Sequence, residues 1–240
     1  MNSQKPTPVP LGDLVVDGVF LERPNRYLAR VLVDGRETEA HVPDPGRLPG
    51  LMVPGRRVRL VHRPGPKRKT DYSLVLVRHG SIWVSVYPGF ANGLVERALQ
   101  ERTLPFFAGF TGYASEVSVG GSRLDFRIDT RAASVYLEVK SVSFVEDGVG
   151  RFPDAPTVRG VKHLKELVAL LSLGHGAAVL FVSQRSDTRL IRPNDAVDPE
   201  FGRALREARR AGVELYGINC KVGKSGVALN QPVDVAVEAE

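Results

Sequence analysis

An aspartate and a Glu-x-Lys triplet stand close together in this chain, as Asp125 and then Glu138 and Lys140. Both lie in runs of alternating apolar and polar residues, which read as strands, where residues two apart share a face. Val135, Leu137 and Val139 then point one way, and Tyr136, Glu138 and Lys140 the other. In the preceding run Leu124, Phe126 and Ile128 oppose Arg123, Asp125 and Arg127; before that, Val117 and Val119 oppose Glu116 and Ser118. A Gly120-Gly121 turn makes the two earlier strands neighbours, so Glu116, Asp125 and Glu138 are expected on one face with Lys140 beside them. Carboxylates that close repel unless a cation neutralises them, and oxygen ligands suit a hard divalent ion such as Mg²⁺. Such an ion polarises a phosphoryl oxygen, and a neighbouring ammonium stabilises the charge that builds up on attack. The set is a minimal kit for phosphodiester hydrolysis. A half-exposed sheet also places opposite charges side by side as cross-strand ion pairs, and a bare Glu-x-Lys fits that reading better.

The elements that must position these residues follow from turn chemistry and periodicity. Residues 26–33 and 36–42 flank Asp34-Gly35 and read as a hairpin. Further strands are expected at 56–62, 71–78 and 81–86, enough for a small closed barrel of the OB type, with an SH3-like barrel as competitor. After Pro88-Gly89 the period changes. A helix is expected at 91–101, strands near 113–119, 123–129 and 135–143, an amphipathic helix at 158–173, a buried strand at 177–183, a helix at 199–211 and a strand at 213–219. This is an α/β domain. The boundaries read are a tail at 1–10, a barrel at 11–87, an α/β domain at 88–232 and a tail at 233–240.

Charge is unevenly placed over the 240 residues. Residues 1–80 hold 14 Lys and Arg against 8 Asp and Glu, an excess of 6 that equals the whole formal net charge of +6. A local positive field of this kind attracts polyanions, although it also serves solubility. The loop His62-Arg-Pro-Gly-Pro-Lys-Arg-Lys-Thr70 spreads cations around a Pro-Gly-Pro break, and Lys67, Arg68 and Lys69 suit phosphate contacts. Tyr27, Tyr72 and Trp83 are the aromatics available for base stacking, Trp83 fitting the core better. On the 158–173 helix Arg159, Lys162, His163 and Glu166 recur opposite Leu164, Leu167, Val168 and Leu171. Arg159 and His163 are candidate phosphate contacts, with Gly160 allowing close approach, and a His163–Asp154 pair is also compatible.

Other chemistries lack their residues. The sequence has no P-loop, dinucleotide fingerprint, Cys-x2-Cys pair or Gly-x-Ser-x-Gly elbow. Cys220 is the only cysteine, which precludes an internal disulfide, and no apolar run approaches the roughly 20 residues of a membrane span. The N-terminus lacks the apolar stretch of a secretory signal, so a cytoplasmic protein is expected.

The order helix, β-meander carrying Asp then Glu-x-Lys, helix, strand resembles the core of the PD-(D/E)xK nuclease superfamily. Nearly the whole chain resembles the sugar fermentation stimulation protein A (SfsA) family, through Arg123-Leu-Asp-Phe126, Tyr136-Leu-Glu-Val-Lys-Ser-Val142, Arg151-Phe-Pro-Asp-Ala155, the 159–167 stretch, and Lys67-Arg-Lys-Thr70 with Tyr72. The resemblance implies an N-terminal OB-like barrel, a C-terminal nuclease-like α/β domain and binding to DNA, single- or double-stranded, with little sequence preference. It also implies Asp125, Glu138 and the backbone carbonyl of Val139 as ligands of Mg²⁺ or Mn²⁺, with Lys140 catalytic. Glu116 is a weaker ligand candidate, and Glu96 is the acidic residue available from the preceding helix. His41-Val-Pro-Asp-Pro-Gly46 departs from the usual His-x-Pro-Asn form at Asp44 and Pro45. The expected function is a DNA-binding, metal-dependent nuclease. The alternative is a non-enzymatic DNA-binding regulator of sugar metabolism that keeps the nuclease fold as scaffold. RNA would use the same site chemistry.

Overall fold

The computed structural model describes residues 6–224 and 226–238. Strands β1 (Val15–Asn25), β2 (Leu28–Val33), β3 (Arg36–His41), β4 (Arg57–His62), β5 (Tyr72–His79) and β6 (Ile82–Ser85) form one sheet, in the order β3-β2-β1-β4-β5-β6. A further β3–β5 pairing closes the first five strands into a barrel, so the fold is of the OB type. Asp34 and Gly35, both at positive φ, make the β2–β3 turn. Phe20, Val31, Leu60, Leu74 and Val77 fill the interior.

The α/β domain begins with α1 (Gly89–Gln100) and the meander β7 (Gly112–Val119), β8 (Ser122–Asp129) and β9 (Ser134–Val142). It continues through β10 (Val145–Glu146), β11 (Val149–Phe152), α2 (Val158–Ser172), β12 (Gly176–Ser183), β13 (Leu190–Pro193), α3 (Pro199–Ala211), β14 (Glu214–Val222) and β15 (Val227–Val235). The nine strands form one sheet in the order β10-β11-β13-β15-β14-β12-β9-β8-β7. β12 is buried along almost its whole length because it lies parallel between β9 and β14 with both faces covered. On one face Leu94, Val95 and Ala98 of α1 pack on Leu137, Val139 and Leu180. On the other Leu164 and Leu167 of α2 and Leu205 of α3 pack on Val179 and Phe181.

The caps of α2 and α3 share one aspartate. Thr157 accepts from the Gly160 N–H and donates its own N–H to Asp198, whose second oxygen accepts from the Phe201 N–H at the start of α3. A Cβ on Gly160 would lie 2.8 Å from Thr157 and 3.2 Å from Phe201. Gly160 therefore serves the approach of α2 to α3, and not the close approach of a ligand expected from the sequence.

Two terminal expectations need correction. Within the expected tail at 1–10, Val9 bridges Val227 and the Thr7 N–H donates to Glu101. At the other end β15 runs to Val235 and pairs with β13, so the sheet continues beyond residue 232. Residues 1–5, 225, 239 and 240 lie outside the described residues.

The two domains share an apolar seam, with Leu11, Val61, Val75 and Leu76 packing in the same core as α1. Polar ties cross it as well. The Leu48 N–H donates to Asp154 at 3.2 Å, Arg185 donates to His79 at 3.1 Å, and the Ser85 N–H donates to the Gln184 carbonyl at 3.0 Å. Among the described residues no helix is long and apolar enough to cross a membrane.

Candidate functional site

The β8–β9 ladder pairs Asp129 with Ser134 through Phe126 with Leu137, and then parts. At the parting, the Asp125 carboxylate takes the place of a backbone acceptor. Its Oδ2 accepts the Val139 N–H at 2.7 Å and its Oδ1 accepts from the Asn92 amide of α1, also at 2.7 Å. On β9, between Leu137 and Val139 of the α1-facing core, Glu138 turns toward α2 and is only 4% exposed. Its Oε1 accepts from Lys140 Nζ at 2.6 Å and lies 2.5 Å from His163 Nδ1. Its Oε2 is buried without a partner among the described residues.

Asp125, Glu138 and Lys140 line a cleft of about 430 Å³ with Asn92, Glu116 and Arg159. Burial raises the Asp125 pKa and the nearby Glu138 raises it further, against the bonds from Val139 and Asn92 and the field of Lys140. Burial pushes Glu138 up as well, but the bonds from His163 and Lys140 outweigh it and hold the carboxyl below the ordinary range. An incompletely neutralised pair of carboxylates, Asp125 half-buried and Glu138 buried with a bare oxygen, suits a hard divalent cation whose remaining ligands are carbonyls or water. Val139 lines the same cleft. Among the described residues no group of three or more His, Cys, Asp or Glu is placed to hold an ion, so the pair stands without a third such side chain.

Glu116 is therefore a correction. The β7–β8 register brings it level with Asp125, but its φ of +54° breaks the strand geometry and its carboxylate pairs with Arg123 at 3.2 Å on the exposed rim. Glu96 lies outside the cleft lining, and α1 instead contributes Asn92, one turn earlier. A polar residue next to Ala91 on a helix that buries Leu94, Val95 and Ala98 is the available sequence signal for Asn92.

His163 is a second correction. It is 2% exposed, and its ring lies between Glu138 and Arg159 Nε, the latter 3.2 Å from Nε2, so it presents no nitrogen to a passing phosphate. Asp154 is not its partner, because Asp154 crosses to the barrel, where its carboxylate occupies the space that a Cβ on Gly46 would fill. Asp44 sits in the same seam, with Oδ1 accepting the Gly46 N–H at 2.8 Å. Burial, and after it the neighbouring Asp154, lifts the Asp44 carboxyl to about 6. Arg159 lines the cleft, and among the described residues only its Nε is engaged.

On the barrel, Lys67, Arg68 and Lys69 line a separate cavity of about 550 Å³ with Tyr27 and His41. Arg68 folds back on its own loop, donating to the Thr70 carbonyl and to Ser73 Oγ. Tyr72 is not in this cavity, because its ring packs on His62 with centroids 5.1 Å apart, whereas Tyr27 lines it at 51% exposure. Trp83 lies under two guanidiniums, Arg59 at 4.6 Å and Arg78 at 5.5 Å, and is held against the protein. Cys220 is fully buried, which raises its thiol pKa, so it is not a nucleophile.

A five-stranded barrel closed by β3–β5 and fused through an apolar seam to an α/β domain with an Asp-Glu-Lys cleft defines a two-domain class of protein. Residues 21–86 match the SfsA N-terminal OB domain and residues 89–226 the sugar fermentation stimulation protein RE domain. The chain belongs to the sugar fermentation stimulation protein family. It is 42% identical to the homolog from Chloroflexus aurantiacus, covering 98% of this chain and 91% of the relative. Identity to the homolog from Clostridium perfringens strain SM101 is 39%, over 91% of this chain and 96% of the relative. A solved structure of Pyrococcus furiosus SfsA in complex with Ca²⁺ superposes with a TM-score of 0.86 at 28% identity, covering 97% of this chain and 99% of that one.

Proposed function

We propose that the protein binds nucleic acid through its barrel and hydrolyses phosphodiester bonds in the α/β cleft with a divalent cation. The observation that carries this reading is the bare, buried Oε2 of Glu138 beside the half-buried carboxylate of Asp125. The reading is supported by the Pyrococcus furiosus relative, which was solved in complex with Ca²⁺. Asp125 and Glu138, with the Val139 carbonyl, would hold Mg²⁺ or Mn²⁺, which supplies Lewis-acid polarisation of the phosphoryl group when bound. Lys140, held at 2.6 Å from Glu138, can orient a water and stabilise the negative charge of the transition state. The uncommitted Nη atoms of Arg159 are suited to hold a phosphate oxygen. Asn92 keeps Asp125 in place through its amide.

The test is cleavage of labelled single-stranded DNA, duplex DNA and RNA in Mg²⁺, Mn²⁺ or EDTA. Cutting that requires the metal is expected. Binding without cutting on any of the three, with no divalent-ion binding by calorimetry, would overturn the enzymatic reading and favour a regulator that uses the fold as scaffold.

Capture by the barrel makes a separate prediction. Neutralising Lys67, Arg68 and Lys69 together should weaken binding uniformly across sequences, because phosphate contacts carry no base information. Arg68 is folded onto its own loop, which leaves the two lysines as the phosphate contacts. At about 0.7–0.9 per phosphate contact, the slope of log K against log salt should flatten by roughly 1.4–1.8. An unchanged slope would remove this loop from the interface.

A further inference from the structure

Glu138 is held in an unequal way. Lys140 Nζ and His163 Nδ1 both reach Oε1, at 2.6 and 2.5 Å, and neither reaches Oε2. Arg159 Nε approaches the other ring nitrogen of His163, Nε2, at 3.2 Å. A guanidinium Nε–H can only donate, so Nε2 must offer its lone pair and Nδ1 must carry the proton. His163 is thereby a neutral ring donating Nδ1–H to Glu138, wedged between the cleft wall and β9 at 2% exposure.

We propose that His163, oriented by Arg159, is a positioning residue that fixes which oxygen of Glu138 is offered to the cation. Locking Oε1 in two donated hydrogen bonds stops the carboxylate from rotating and leaves Oε2 as the ligand atom. Residues that orient a metal ligand commonly control affinity by about 10–100-fold. Arg159 belongs to the same chain of bonds and lines the cleft, where a phosphate would meet its Nη atoms. The residue that would anchor the substrate therefore also fixes the ring that steers Glu138. α2 is capped through Thr157 and Asp198, which gives this arrangement a fixed base.

The proposal rests on the metal-dependent reading of the cleft, and its test separates the two. On the full chain, Ca²⁺ titration calorimetry would compare the wild type with His163→Phe, which keeps ring volume without nitrogens, and His163→Asn, which keeps an N–H near the Nδ1 position. His163→Phe should bind Ca²⁺ roughly 10–100-fold more weakly, with His163→Asn restoring most of the affinity. A purely structural role would lower the melting temperature of His163→Phe and leave the Ca²⁺ affinity of the folded protein unchanged, which would overturn the proposal. Long-range proton–nitrogen NMR of ¹⁵N-histidine-labelled wild type gives a second readout that needs no variant to fold. A bare Nε2 with a protonated Nδ1 is expected for His163, and an Nε2–H tautomer would overturn the orientation by Arg159. Absence of Ca²⁺ binding by the wild type would overturn the cleft reading and this proposal together; binding that His163→Phe leaves intact would overturn this proposal alone.

Discussion

Asp125→Asn is expected to lower the cleavage rate on the order of 10³-fold or more while raising the thermal stability of the metal-free protein. The two effects have one source. Asp125 is half-buried, and desolvation together with the field of Glu138 disfavours its ionised form in the folded chain. With the folded pKa above the unfolded one, the unfolded chain gives up this proton at lower pH than the folded chain does. Stability therefore falls as pH rises out of the ordinary carboxylate range, and the cost persists at neutral pH. Asparagine has the same shape without the charge. Its Oδ1 can keep the Val139 N–H, and its amide can donate to Asn92 once the Asn92 side chain flips to present oxygen. Charge is what the cation needs, so the same change removes the ligand. The measurements are a melting curve in EDTA and a single-turnover cleavage assay in Mn²⁺, with nucleic-acid affinity measured alongside. Affinity should be largely spared, because the barrel loop and Arg159 are untouched. A lower melting temperature in EDTA would show that Asp125 acts mainly as a structural acceptor for Val139 and Asn92.

How much of this is legible in the sequence depends on the range of the interaction. Asp34-Gly35 announces its hairpin because a two-residue turn carries its own backbone requirement. The alternation through 123–129 and 135–142 is equally plain, and with it the facing of Asp125 and Glu138. Glu116 departs from expectation because alternation assumes regular strand geometry, and a single left-handed residue rotates its side chain to the rim. His163 departs for a different reason. Helical periodicity groups it with Arg159, Lys162 and Glu166, and no local signal shows that β9 brings a buried carboxylate to that flank of α2. β13 and β15 escape a sequence reading because each takes its place in the sheet by long-range pairing, Leu190 with Asp234 and Ile191 with Val235. Tyr72 and Tyr27 part company for a similar reason: the sequence offers both for stacking, and only the packing of Tyr72 on His62 withdraws one of them.

Asp44→Asn should stabilise the protein above pH 6, and the size of the gain follows from the seam itself. Asp44 is 9% exposed, close enough to Asp154 to feel its charge, and its carboxyl is lifted from 3.8 to about 6. Arg23 lies beside it but turns its two Nη atoms to the carbonyls of Asp44, Gly46, Arg47 and Arg26 and makes no direct bond to the Asp44 carboxylate. Between about pH 4 and pH 6 the folded chain holds a proton that the unfolded chain has released. Stability must then fall as pH rises through that window, and above it the full penalty stays. A shift of about two units corresponds to at most about 3 kcal/mol. Asparagine keeps an oxygen for the Gly46 N–H and presents an amide that can donate to Asp154. At roughly 2–4 °C per kcal/mol for a chain of this size, melting at pH 8 should rise by up to about 6–12 °C. The gain should shrink toward zero by pH 4, where the wild-type carboxyl is already protonated. An equal gain at both pH values would mean that the amide acts through packing, and no gain at pH 8 would mean that Asp44 is compensated by water in the seam. The aspartate also lines a cavity of about 210 Å³ with Asp154, Lys140 and Ser141, directly beside the cleft. A charge kept at this cost and in this place marks the seam as the next position, after the Asp125–Glu138 pair, where stability and activity are expected to oppose each other.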